Sequence, residues 1–89
     1  MTLDDAVRTP VLFKIIRFFH ENQASIDTPR GVSTWIGEER ALAKQALEDL
    51  VKLKVLVAHR ATSTTGYSYT NDAKLIARIG NLLKKSSAK

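Results

Sequence analysis

The sequence of 89 residues contains no cysteine, which excludes disulfide staples and thiol ligands. Nothing in it asks for an oxidising compartment, and a reduced, cytoplasmic setting is the expectation. Its two histidines, His20 and His59, fall on separate elements, and neither has a partner at metal-ligand spacing. His20 reads as a half-packed residue near a helix end. There is no Gly-rich phosphate loop, and the adjacent Glu38 and Glu39 would project about 100° apart on a helix, so they form no catalytic pair. These absences argue against an enzyme, and no metal or cofactor is expected. No apolar run approaches the roughly 20 residues of a membrane span. The N-terminus, MTLDDAVRTP, is acidic where a signal peptide is basic. The chain has only two prolines, and each follows a threonine, at Thr9-Pro10 and Thr28-Pro29. That pair reads as a helix cap and first helical position, where the missing amide is no loss.

What is present suits one small domain with a core of its own, since 44% of the residues are hydrophobic. The formal net charge is +5, which favours an anionic partner, with nucleic acid the first candidate. Residues 1–8 read as a flexible lead-in or as an extension of the first helix. The spacing predicts a first helix from about Thr9 to Asn22, with Leu12, Ile15, Ile16 and Phe19 as its stripe. Val11, Phe13 and Phe18 flank that stripe, leaving more apolar surface than one covered side needs. Ser25–Asp27 suits a short edge strand. A short second helix follows Pro29, with Val32, Trp35 and Ile36 on one face, and Gly37 suits the left-handed position that ends it. The stretch Glu38–Lys54 predicts a helix of more than four turns, with Ala43, Leu47 and Leu50 at i, i+4 and i+7. After Lys54 the period drops to two. Val55 and Val57 then share the core side, and Tyr67 and Tyr69 pair up on the return strand, across the turn-prone Ala61–Gly66. A last helix, capped by Asn71 or Asp72, runs to about Lys85, and residues 86–89 should fray. The predicted core is Leu12, Ile16, Phe19, Trp35, Ile36, Leu47, Leu50, Leu53, Val55 and Val57.

A short helix, a tight turn, a long helix and a hairpin is an order that resembles the winged helix-turn-helix transcriptional regulators of bacteria and archaea, broadly of the MarR/ArsR type. The resemblance rests on IRFFHEN in the first helix, WIG closing the second, LEDLVKLKVLV ending the third and GYSYT in the hairpin. It covers about residues 9–71. It implies an α+β, mostly helical fold with a three-helix core, a β-hairpin wing and a C-terminal helix at 71–85. It also implies a DNA-binding regulator of transcription, with duplex DNA met by the third helix in the major groove and by the wing on the backbone. Two departures stand out. Such regulators often carry Gly where this chain has Lys54. They usually present Ser, Thr, Lys or Arg at the start of the third helix, where this chain has Glu38 and Glu39.

Within that reading, Arg30 and the free amides at the start of the second helix would hold a phosphate. Arg40, Ala41, Lys44 and Gln45 would enter the major groove, Arg40 suited to guanine and Gln45 to adenine. Arg60 with Thr62, Ser63, Thr64 and Thr65 would reach the backbone from the wing. The outward set Glu38, Ala41, Lys44, Gln45, Glu48, Asp49 and Lys52 holds three acids against two lysines, formally −1. That sign keeps open a rival reading, a protein-interaction module docking through Ala41, the surplus surface of the first helix and the acidic start of the third. A homodimer is the expected assembly, because small DNA-binding domains pair half-sites by two-fold symmetry. Leu75, Ile76, Ile79, Leu82 and Leu83 would form its seam with Val11 and Phe18.

Overall fold

The computed structural model describes residues 1–87. The chain forms α1 (Leu3–Arg8), α2 (Pro10–Glu21), β1 (Ile26–Asp27), α3 (Pro29–Ile36), α4 (Arg40–Lys52), β2 (Leu56–Arg60), β3 (Thr65–Tyr69) and α5 (Ala73–Ser87). Among the described residues it is therefore an α+β, mostly helical domain with one antiparallel sheet, in strand order β1-β3-β2. None of these helices is long and apolar enough to cross a membrane.

Of the two readings of the first eight residues, the helical one fits, though as a separate helix: Thr2 and Asp5 make a reciprocal capping box, and Leu3, Ala6 and Val7 of α1 are buried. Thr9 joins α1 to α2: its amide donates to the Ala6 carbonyl, its hydroxyl to the Asp5 carbonyl, and its own carbonyl receives the Phe13 amide. α1 packs on α2 and α5, so the surplus apolar surface read on the first helix is covered in part from within the chain.

α3 is opened by Thr28, whose Oγ1 accepts from the Gly31 amide at 3.2 Å, and closed by Gly37 at φ 74°. Gly31, a poor interior residue by propensity, has a packing reason. A Cβ there would lie 2.6 Å from the Asp27 carboxylate, which also accepts from the Trp35 indole at 3.3 Å. Trp35 was predicted to be core but is 38% exposed, stacked on Phe18 with ring centroids 4.0 Å apart. The indole has one face on Phe18 and its N–H on Asp27, so it lies over the α2–α3 seam instead of entering it.

α4 begins at Arg40, later than its pattern suggested. Glu39 is the extended N-cap, and the Ser33 hydroxyl holds the Glu38 carbonyl outside the helix. α4 also ends earlier, at Lys52. The Val55 amide donates to the Leu50 carbonyl at 3.0 Å and the Lys54 amide to the Val51 carbonyl at 2.9 Å, a Schellman turn with Lys54 left-handed at φ 66°. This turn drives Leu50 and Val55, both fully buried, together. It also resets the strand alternation. Leu56 and Ala58 face inward with Tyr67 and Tyr69, while Val57 is 44% exposed opposite Ser68, contrary to its predicted core role. Leu53 is only partly buried at the edge of the core.

β1 pairs with β3 through Ile26↔Ser68 and Asp27↔Tyr67, which ties the entry of α3 to the hairpin. α5 is capped by Asp72, whose Oδ1 accepts from the Lys74 and Leu75 amides. It folds back on α1 and α2, burying Ile79 and Leu83 in the chain's own core. Leu75, Ile76, Leu82, Val11 and Phe18 pack against the same core, so the stripe read as a dimer seam is largely spent within one chain. Gly80 lets α5 approach α2 closely. A Cβ there would sit 3.3 Å from the His20 ring, and His20 Nδ1 is 2.9 Å from the Tyr69 hydroxyl. The expected fraying of residues 86–89 meets a helix that continues through Ser87; residues 88–89 lie outside those described.

Candidate functional site

Three pieces of chain converge on one groove: the entry of α3, the first two turns of α4, and the loop joining β2 to β3. The β1–β3 pairing and the packing of α3 on α4 fix the first two against the third. The groove encloses about 450 Å³ and is lined by Pro29, Arg30, Arg40, Lys44, Ala61, Thr62, Ser63, Thr64, Thr65 and Tyr67. Arg40 and Lys44 are i, i+4 on α4 and so share a face. With Arg30 they give the groove three cationic side chains and no carboxylate in its lining. None of the three belongs to either ion pair found among the described residues. The loop adds hydroxyls, which donate or accept as needed. Seven residues singled out from the sequence, Arg30, Arg40, Lys44 and Thr62 through Thr65, are thus brought together.

The other three are not. Ala41 and Gln45 are exposed on α4 but stand outside the groove, and Gln45 Nε2 donates to Asp49 Oδ1 at 3.0 Å. Arg60, though exposed, reaches from β2 to fork onto Glu48 of α4, Nη2 to Oε1 at 3.1 Å and Nη1 to Oε2 at 3.3 Å. The Tyr67 hydroxyl donates to the same carboxylate. A free phosphate-seeking arginine was expected here. Instead Arg60 is the outer half of a strut between the hairpin and α4. The helix-start amides are also less free than expected, because Thr28 takes the Gly31 amide and the Asp27 carboxylate crowds that end.

The strut sets its own electrostatics. The Arg60 hydrogen bonds, then the Tyr67 hydroxyl, hold the Glu48 carboxyl below its ordinary range. Glu48 in turn raises Arg60. Burial first, and then the Glu48 carboxylate, push Tyr67 up to about 12. Burial alone pushes Tyr69 to about 12. Glu48 was read only as part of an acidic outer face. Its partners lie 12 and 19 residues away. No helix-spacing rule reaches that far. The one local signal was parity, since Arg60 shares its strand face with Leu56 and Ala58.

A second surface lies on the opposite flank of α3. Phe13, Lys14, Arg17, Phe18, Glu21, Trp35 and Ile36 line a shallow, mainly apolar recess of about 300 Å³. Comparison of the chain with protein families, with curated proteins and with solved structures finds no match.

Proposed function

We propose that the chain is a winged helix-turn-helix module that binds duplex DNA, with α2, α3 and α4 as the helical core and β2–β3 as the wing, and that it acts in transcription. The observation that carries this reading is the groove. Arg30, Arg40 and Lys44 meet the hydroxylated hairpin tip around one concavity whose lining has no carboxylate. Cations and hydroxyls in that arrangement are the groups that hold phosphate oxygens. The formal charge of +5 supports the same partner at long range.

The test is binding of a labelled short duplex as salt is varied. Three phosphate contacts give a slope of log K against log salt of about −2.7. Replacing Arg40 and Lys44 together with Ala should weaken binding more than tenfold and flatten the slope by about 1.8, since each contact contributes about 0.9. A double variant that binds with the wild-type slope would place the DNA surface elsewhere.

The rival reading, a protein-interaction module, is favoured by one observation. Trp35 and Leu42 are 38% and 42% exposed, and Trp35 lines the apolar recess. A flat, weak response to DNA at low salt would move the function to that flank.

A further inference from the structure

We infer that this surface grips the sugar–phosphate backbone of duplex DNA without reading its bases, an inference that rests on the proposed DNA binding and specifies what is recognised. Base edges lie at the floor of a major groove about 8.5 Å deep, so a reader must protrude. Arg30, Arg40 and Lys44 wall a trough that the loop 61–65 closes on its far side. A trough fits the convex ridge of a phosphate strand.

The part of α4 outside the trough has little to read with. Ala41 offers one methyl group. The Gln45 amide, the natural adenine reader, donates to Asp49. Glu39 stands exposed and Glu38 half-exposed at the leading end, where they repel the phosphates flanking any major groove. The Arg60 fork, which would suit guanine, is filled by Glu48. Glu48 itself is held by Arg60 and Tyr67 and does not line the trough. The chemistry left for DNA is cation-to-phosphate and hydroxyl-to-phosphate, which carries no sequence information. The module holds DNA; it does not choose the site.

The experiment is selection of the full chain against a random-sequence duplex pool, followed by competition among AT-rich, GC-rich and mixed duplexes of one length. The expected result is no enriched motif, affinities within about threefold of one another, and one common salt slope. The Arg40→Ala, Lys44→Ala double variant should lose affinity for all three duplexes by the same factor. An enriched motif bound tenfold or more above the mixed duplex would overturn the inference while leaving DNA binding intact. Failure to bind any duplex at low salt would overturn both together.

Discussion

Two tyrosines, one salt bridge and three unpaired cations carry most of the chemistry. Tyr67 and Tyr69 are buried on the inner face of β3, and their hydroxyls are spent on Glu48 and His20. Burial pushes each hydroxyl from its ordinary 10.0 up to about 12. A raised pKa means the folded chain keeps a proton that the unfolded chain releases. The stability this contributes is intact below pH 10 and is lost as pH rises toward 12. Urea midpoints should therefore hold steady up to about pH 10 and fall above it. The fall should shrink in Tyr69→Phe, which keeps the ring and removes the titrating group; an unchanged alkaline fall would mean that Tyr69 ionises freely. Glu48 works in the other sense. Its lowered carboxyl contributes above the ordinary carboxylate range, and that contribution fades as pH drops through the depressed value.

At the scale of elements, the Schellman turn after α4 sets the register of the hairpin and hence the position of the groove's far wall. Lys54 occupies its left-handed position at φ 66°, where a side chain costs about 1–2 kcal/mol. Lys54→Gly removes that cost, less about 0.5–1 kcal/mol for the looser unfolded chain. Chemical denaturation should report a gain of up to about 1.5 kcal/mol, and a loss would mean that Lys54 makes an interaction outweighing its backbone. This turn also marks where legibility ends. Helix faces were readable because Leu12, Ile15, Ile16, Leu47 and Leu50 repeat at helical spacing, and both Thr-Pro pairs announced helix starts. Val57 was misplaced because Val55 belongs to the turn that closes α4 and not to β2, so it sets no alternation for the strand. Trp35 was misplaced because its exposure depends on Phe18 and Asp27, on two other segments. α1 was legible only as one of two alternatives, because six residues hold too few repeats to tell a separate helix from a loop. In the groove, residue type located seven of its ten lining residues, while the strut that aligns two of its walls is a long-range contact without a local signature.

At the scale of the whole molecule, α1 and α5 change what the chain has left to offer. The helix stripe that suggested a two-fold partner holds Ile79 and Leu83 in the core, with α1 covering the same seam. Sedimentation of the intact chain at tens of micromolar should then give a monomer near its 9.9 kDa mass. A dimer would require another face, and the exposed row of Ile26 and Val57, both opposite Ser68 on the sheet, is the first to examine. The groove brings three cationic side chains together on facing elements. Its function is most directly measured by amide NMR during titration with a short duplex. The account predicts salt-sensitive shifts at Arg30, Arg40, Lys44 and residues 62–65, with α5 unmoved. Unmoved groove amides, or shifts confined to Phe13, Phe18 and Trp35, would contradict it.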